Sequence, residues 1–219
     1  MCGRYTLTWP LAAILKDLGA TPVAGTVWAP SYNIAPGSKV LTIVERSEVL
    51  YAGLMEWGML PRPGSAGRRI INARRDSLLE KPFFRQAVQT GRAIVPADGY
   101  FEWTRDTRDP YRLCDPKRNL WYFAAVFQVG PDHSPRLALV TTEAVGPVAA
   151  VHPRMPYILP RVAIRSWLDA SHGAYRALIT LPAPVSEAEC YPVSRAVNRA
   201  DADGPHLIQP LPRTPSPSE

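Results

Sequence analysis

The chain has 219 residues, 46% of them hydrophobic, so it can bury the core of one sizeable domain and should not be disordered as a whole. The sequence contains three cysteines, an odd number, and no signal-peptide pattern at its start. None of its apolar runs is as long as the about 20 residues that span a bilayer. These features argue against a secreted disulfide-rich protein and against a membrane protein. The net charge is +6, and all but four of the 25 basic residues are arginine, which suits phosphate, although a GC-rich genome would give the same bias. We therefore expect a soluble intracellular protein for which nucleic acid is a reasonable partner.

Short helices and strands alternate along the chain. The helices predicted from apolar periodicity and terminal Pro or Gly are Leu11–Leu18, Asp76–Leu79, Pro82–Gln89 and Pro160–Ala170, and Pro61–Gly67 is a predicted loop. The predicted strands are Val40–Val44, Val49–Leu54, Arg69–Asn72, Ala93–Val95, Tyr100–Trp103, Tyr111–Cys114, Trp121–Val129, Arg136–Thr142 and Tyr191–Val193. This pattern predicts a β-rich α+β fold with one domain over residues 1–209 and a disordered Pro/Ser-rich tail over 210–219.

Cys2 is the first residue whose chemistry stands out. A small second residue favours removal of the initiator methionine, so the mature chain would begin with an α-amine and a thiol on one residue. The amine has an ordinary pKa of about 7.7–8.0 and the thiol about 8.5, so both are partly nucleophilic near neutral pH. An aldehyde would form a Schiff base with the amine, and addition of the thiol would close a thiazolidine ring without a cofactor. The alternative is an ordinary buried cysteine on an N-terminal strand.

Two arginine-containing segments could hold an anion. Gly3 lets the backbone approach a ligand closely, and Arg4 beside it could bind a phosphate. In an extended segment, Asn72 and Arg74 point to the same face, where an amide and a guanidinium can bracket a phosphate or sugar oxygen. The alternatives are a surface arginine and a solvated strand end.

Glu102 lies within an aromatic strand, Tyr-Phe-Glu-Trp. Strand alternation places Tyr100 and Glu102 on one face and Phe101 and Trp103 on the other. A carboxylate among aromatic rings is desolvated, which raises its pKa and suits it to proton transfer. The alternative is a wet face or an ion pair with an arginine.

His152 is the histidine best placed for chemistry. It precedes Pro153 and Pro156, which predict a stiff, non-helical loop that can hold an imidazole in place, and histidine titrates near neutrality. The other three histidines, His133, His172 and His206, are interpreted as ordinary loop residues. The scattered cysteines and the absence of Cys-x-x-Cys and His-Glu-x-x-His patterns give no metal site, so we expect no metal and no cofactor.

Seven short motifs follow one another along the chain. They are residues 1–5 (Met-Cys-Gly-Arg-Tyr), 32–36 (Tyr-Asn-Ile-Ala-Pro), 57–61 (Trp-Gly-Met-Leu-Pro), 71–74 (Ile-Asn-Ala-Arg), 97–103 (Ala-Asp-Gly-Tyr-Phe-Glu-Trp), 152–156 (His-Pro-Arg-Met-Pro) and 192–198 (Pro-Val-Ser-Arg-Ala-Val-Asn). Together they resemble the SRAP family, the SOS response-associated peptidase or abasic-site processing proteins, from Cys2 to about Pro210.

The resemblance implies a twisted, barrel-like β core of antiparallel sheets with flanking short helices and a positively charged channel for single-stranded DNA. The expected partner is single-stranded DNA containing abasic sites, and the protein is expected to be a monomer. It is expected in the cytoplasm, at the nucleoid when bound to DNA, with no membrane association. The ring-opened abasic sugar carries an aldehyde that Cys2 would capture as a thiazolidine crosslink, shielding the lesion from strand cleavage. The family name adds a peptidase that removes its own first residue, and lyase-type activity is a related expectation.

The resemblance also assigns residue roles. Catalytic roles fall on Cys2, Glu102, His152 and Asn72, and DNA contacts fall on Arg4, Arg74, Arg85, Pro36 and Trp57. The glutamate would assist proton transfers, and the histidine would act on the deoxyribose ring or an intermediate and influence reversal. Pro36 and Trp57 would wedge against the strand, with the aromatic ring replacing lost base stacking. The family often has Asp after the histidine, where this chain has Pro153, so the imidazole would be oriented differently.

Two other functions are compatible with parts of the sequence. Class II glutamine amidotransferases also begin Met-Cys-Gly and use the thiol against an amide carbonyl, but the later motifs do not fit them. A non-covalent single-strand binder with a structural Cys2 would show salt-sensitive binding and no crosslink.

Overall fold

The computed structural model describes residues 2–61, 69–169, 173, 175–180 and 187–212. Most of the predicted loop at Pro61–Gly67, Ala170 at the end of the last predicted helix, His172 and the tail beyond residue 212 lie outside these ranges. The strands are β1 Tyr5–Leu7, β2 Thr21–Pro22, β3 Ser31–Ile34, β4 Lys39–Arg46, β5 Val49–Trp57, β6 Asn72–Arg74, β7 Arg92–Ala97, β8 Gly99–Trp103, β9 Pro110–Cys114, β10 Trp121–Val129, β11 Pro135–Glu143, β12 Arg154–Pro156 and β13 Glu189–Pro192. The α-helices are α1 Leu11–Leu18, α2 Pro82–Thr90, α3 Pro147–Val151, α4 Ile164–Leu168 and α5 Tyr175–Thr180, with 3₁₀ turns at Arg75–Ser77, Arg161–Ala163, Arg195–Asn198 and Pro205–Ile208.

Five strands of the larger sheet close into a barrel. Strands β11, β10, β7, β4 and β5 are neighbours in that order, and β5 pairs back with β11 where Trp57 lies opposite Leu137. All six residues of β7 are buried, because one face of the strand lies inside the barrel and α2, α4 and β1 pack against it. The predicted β-rich α+β class with a barrel-like core is confirmed. The closing β5–β11 pair and the β6–β11 pair are parallel, which the expectation of antiparallel sheets missed, because long connections bring these strands together.

The second sheet packs both of its faces. Its order is β13-β9-β8-β1-β3. Tyr5 and Tyr100 point into the main core, whereas Phe101 points to the other face and packs with Val193 and Leu207 in a smaller cluster. The predicted alternation along residues 100–103 is therefore confirmed, and it directs Glu102 toward the barrel side.

Several local predictions are confirmed. Helix α1 has the predicted bounds and ends at Gly19, whose φ of 65° is the left-handed conformation typical of a helix C-cap. Helix α2 begins with Pro82 in its first turn. The β4–β5 hairpin turns through Ser47 and Glu48, both with positive φ, a two-residue turn that matches the strand twist.

Other local predictions are wrong in detail. The strands predicted at Ala93–Val95 and Tyr100–Trp103 are longer, as β7 and β8, and they belong to different sheets, so the chain changes sheet at Asp98. The strand expected at Arg69–Asn72 forms at Asn72–Arg74 because its partner, β11, pairs from Leu139 to Thr141. The helix expected at Pro160–Ala170 is a 3₁₀ turn followed by the short α4. None of the described helices is long and apolar enough to cross a membrane.

Candidate active site

Four segments that are distant in sequence meet at Cys2. The residue lies just before β1, and β1 pairs with β8, which carries Glu102. Asn72 begins β6, which pairs with β11, and β11 also pairs with β12, immediately after His152. The barrel closure thus brings together all four residues for which catalytic roles were predicted.

Cys2 is fully buried. Its side chain has no exposed surface, and its Sγ lies 3.9 Å from the backbone oxygen of Arg4. Burial raises the pKa of the thiol well above its ordinary value, and the nearby Glu102 carboxylate raises it further. Burial therefore favours the protonated thiol, and a neighbouring group must accept its proton before the sulfur attacks.

Glu102 is suited to accept it. The side chain is 2% exposed, and burial raises its pKa from 4.5 to about 7. A carboxyl group with this pKa exchanges protons readily near neutrality, which is the property of a general acid–base group. The predicted desolvation of Glu102 is therefore confirmed.

His152 lies beside Glu102. Its Nδ1 is 3.8 Å from Glu102 Oε1 and 3.0 Å from both the backbone nitrogen and the backbone oxygen of Arg154. Partial burial lowers the pKa of the imidazole, so the neutral form is favoured. The predicted non-helical loop is limited to His152 and Pro153. His152 caps the C-terminus of α3, and Arg154 begins β12, so two regular elements hold the ring.

Asn72 holds the backbone of Cys2. Its Nδ2 donates to the Cys2 carbonyl oxygen at 2.9 Å. Its Oδ1 is buried and has no hydrogen-bond partner among the described residues, so it can accept a hydrogen bond from a ligand. Asn72 therefore combines a fixed donor with an available acceptor next to Cys2.

Arg74 forms part of a charged cluster at the rim. Its guanidinium is 60% exposed and pairs with Asp76 at 2.6 Å. Arg154 approaches the same carboxylate at 3.4 Å and donates to the backbone oxygen of Thr141 at 2.7 Å. Sequence reasoning gave no role to Arg154 or Asp76, although Arg154 stands in the His-Pro-Arg-Met-Pro motif, two residues after His152.

The sequence profile of the family described as SOS response associated peptidase (SRAP) matches residues 1–200 of the chain. The chain belongs to the SRAP family.

Relatives match over nearly the whole length. The chain is 31% identical to the abasic site processing protein YoqW of Bacillus subtilis, over 95% of this chain and 99% of that one. It is 31% identical to the abasic site processing protein YedK of Escherichia coli, over 96% and 100%. A solved protein of Bacteroides thetaiotaomicron shares the fold, with a TM-score of 0.80 at 19% identity, over 96% of this chain and 100% of that chain.

The arginines expected to contact DNA in an SRAP protein differ in their surroundings. Arg4 is half-buried, and one of its amino groups donates to Asn33 Oδ1 and to the Val197 carbonyl, both at 2.8 Å, so it joins β1 to the C-terminal segment. Arg85, on α2, donates to the carbonyl oxygens of Leu79 and Glu80 and so fixes the turn before the helix. Arg74 and Arg85 are both exposed, and Arg74 lies two residues after Asn72, next to the candidate site.

The two residues of the SRAP motifs that were predicted to wedge against the DNA strand also differ in their exposure. Pro36 lies partly exposed in the turn between β3 and β4, where Gly37 donates to the Trp57 carbonyl. Trp57 is fully buried, donates from Nε1 to the Ile71 carbonyl at 2.9 Å and packs edge-on against Tyr5. The stacking role predicted for Trp57 is therefore incompatible with this structure, because a ring enclosed in the core has no face available to a base.

The described residues contain no group of three or more His, Cys, Asp or Glu side chains that could hold a metal ion. Cys2, Cys114 and Cys190 are free thiols. The chemistry available at the site is that of a thiol, a carboxyl group, an imidazole and an amide.

Proposed function

We propose that this protein binds abasic sites in single-stranded DNA and captures them covalently through Cys2 after removal of Met1. The observation that carries the proposal is the convergence of Cys2, Glu102, His152 and Asn72 from four separate segments. The relatives named abasic site processing proteins supply the substrate class.

The proposed reaction needs no cofactor. The α-amine of mature Cys2 attacks the C1′ aldehyde of the ring-opened sugar, a C–N bond forms, and one water leaves to give an imine. The Cys2 sulfur then adds to the imine carbon, and the thiol proton moves to the nitrogen, which closes a thiazolidine ring. Met1 must be absent, because an amide nitrogen does not form an imine; removal of this residue by the protein itself is the peptidase step of the proposal.

Glu102 and His152 manage the protons in this scheme. The Glu102 carboxylate accepts the proton of the buried thiol, and its protonated form donates to the departing hydroxyl of the carbinolamine. In this proposal the neutral imidazole of His152 assists three steps: opening of the sugar ring, reversal of the crosslink and a separate lyase-type elimination. The Asn72 Oδ1 atom accepts a hydrogen bond from the sugar or the reacting nitrogen.

DNA binding would use the positive groups around this site. Arg74 is the proposed main phosphate ligand, with Arg4 and Arg85 on flanking phosphates and Pro36 against the strand. An exposed guanidinium can exchange the Asp76 carboxylate for a phosphate with little structural change.

Denaturing electrophoresis with single-stranded DNA that carries one abasic site tests the proposal. We expect a shifted band that survives SDS in wild type and in Cys190→Ser, and no such band in Cys2→Ala, which should retain its non-covalent DNA affinity. Intact mass of the same preparation should show loss of Met1. A crosslink of unchanged yield in Cys2→Ala would contradict the assigned nucleophile, and active protein that retains Met1 would contradict the mechanism.

Non-covalent binding of single-stranded DNA is the second candidate, and the complete burial of Cys2 favours it. In that case Cys2 only fills space between β1 and β6. Salt-sensitive binding without an SDS-stable band would support this function over capture.

A further inference from the structure

Two tyrosine hydroxyls lie buried on the inner face of the second sheet. Tyr5 of β1 and Tyr100 of β8 are direct cross-strand partners, so their side chains share a face, and neither has exposed surface. Neither hydroxyl has a hydrogen-bond partner among the described residues. A buried hydroxyl without a partner is disfavoured, so a pair of them calls for a functional explanation.

The aromatic core fixes both rings. Tyr5 packs edge-on against Trp57 and Phe123, with centroid separations of 5.5 and 6.1 Å. Tyr100 packs against Trp121 and the same Phe123, at 5.9 and 6.0 Å. Because these contacts restrict ring movement, the positions of the hydroxyl oxygens are set by packing, and only the O–H bonds are free to turn.

The groups around the pair are acids. Burial raises the pKa of both tyrosines, and the charge of Cys2 adds to the effect on each. The groups acting on the pair are Cys2 before β1, Asp98 between β7 and β8, Glu102 on β8 and Cys190 on β13; His152 faces Glu102. Each of the four becomes negative when it ionises, so a nearby O–H donor would stabilise its anion.

Two other donor groups beside Cys2 are already engaged. The Asn72 amide donates to the Cys2 carbonyl oxygen, and an amino group of Arg4 donates to Asn33 and Val197. The Cys2 sulfur itself contacts a carbonyl oxygen, which accepts and does not donate. Besides Arg4 Nε, the hydroxyls of Tyr5 and Tyr100 are the buried donors in this part of the core for which the described residues supply no partner.

We propose that Tyr5 and Tyr100 form a donor pair that turns its O–H bonds toward the Cys2 sulfur and the Glu102 carboxylate when these groups ionise. The pair would offset part of the unfavourable burial of a thiolate and so activate the nucleophile. This inference rests on the proposed role of Cys2 and adds two residues to which the sequence motifs gave no role.

The test measures the thiol without DNA. Alkylation of Cys2 by iodoacetamide is followed by mass spectrometry of its peptide from pH 6 to pH 10 in wild type, Tyr5→Phe, Tyr100→Phe and the double variant. Phe keeps the ring and removes only the donor. We expect the double variant to react about tenfold more slowly at pH 8 and its profile to move about one unit to higher pH, since one unit is a tenfold change in thiolate.

Tyr122→Phe is the matched control. Its hydroxyl bonds to Asp17 of α1, and its loss should leave the Cys2 profile unchanged. Alkylation rates within twofold of wild type in both single variants would overturn the proposal. An equal shift of the pH profile in Tyr122→Phe would also overturn it. If the double variant does not fold, the two single variants decide the question.

Crosslinking separates this inference from the proposed function. In the donor variants we expect crosslink formation at pH 7 to slow about tenfold while non-covalent DNA affinity stays unchanged. A wild-type protein that forms no crosslink would overturn the proposed function, whereas slower alkylation of Cys2 in the donor variants would still support the donor pair.

Discussion

Two buried carboxylates four residues apart have opposite surroundings. The Asp98 side chain is 7% exposed and accepts a hydrogen bond from the Thr6 hydroxyl. It also accepts hydrogen bonds from the backbone N–H and the hydroxyl of Thr8, each at 2.5 Å. The Arg112 guanidinium lies 3.4 Å from the same carboxylate. Glu102, 2% exposed, faces a thiol and an imidazole, and its pKa is raised to about 7. A buried acid surrounded by donors and an arginine joins strands, whereas one held among weak acids and a neutral base has a raised pKa.

Removing the structural carboxylate tests the first half of this contrast and should have the largest energetic effect. Asp98→Ala leaves the buried Arg112 guanidinium without its counter-charge, so we expect the free energy of unfolding to fall by about 3–5 kcal/mol in urea titrations. Asp132→Ala, which removes an exposed partner of Arg136, should change stability little. Equal effects of the two substitutions would show that burial of the Asp98 pair does not matter.

Removing the chemical carboxylate tests the second half. Glu102→Gln keeps the shape but cannot exchange protons, so crosslink formation should slow by about 10²-fold or more while the protein still folds. Glu143→Gln, at the exposed end of β11, should form the crosslink at the wild-type rate. A Glu102→Gln rate within about twofold of wild type would remove Glu102 from the mechanism.

The pH dependence of stability sharpens the contrast further. Because the folded-state pKa of Glu102 lies above 4.5, its protonated form favours folding, and this contribution is lost as pH rises toward about 7. The lowered pKa of His152 acts in the opposite sense, so its contribution is lost as pH falls through about 6.5. From pH 5 to pH 8, the free energy of unfolding of wild type, measured in urea titrations, should fall by up to about 3 kcal/mol relative to that of Glu102→Gln. Parallel plots of this free energy against pH for the two proteins would contradict the prediction.

The same contrast extends to arginines, with a smaller expected effect. Arg92 is buried and donates to the carbonyl oxygens of Trp167 and Asp169, whereas Arg74 is exposed beside Asp76. Arg74→Ala should weaken DNA binding several-fold at low salt and lower the slope of log affinity against log salt by about 1. Arg46→Ala, in the exposed β4–β5 hairpin, is the control, and an equal change there would indicate only a general charge effect.

Local order explains which predictions succeed. The bounds of α1 follow from apolar periodicity and Gly19, and the alternation of residues 100–103 follows from strand geometry. The change of sheet at Asp98 could not be predicted, because a turn sequence does not reveal which sheet each neighbouring strand joins. The stacking role predicted for Trp57 was wrong for a related reason. An aromatic residue in a motif can either pack in the core or contact a ligand, and the sequence does not distinguish these two roles. The contacts of Trp57 with Tyr5 and Ile71 show that it packs in the core.

The sequence by itself determined the family, the β-rich class and the identity of the residues that could carry chemistry, because these depend on residue types and their order. Tertiary structure decided that Cys2 is buried, that the pKa of Glu102 is raised as far as about 7, and that the hydroxyls of Tyr5 and Tyr100 have no hydrogen-bond partner among the described residues. These properties depend on desolvation and on distances between strands far apart in sequence, which closure of the barrel and pairing of β1 with β8 create.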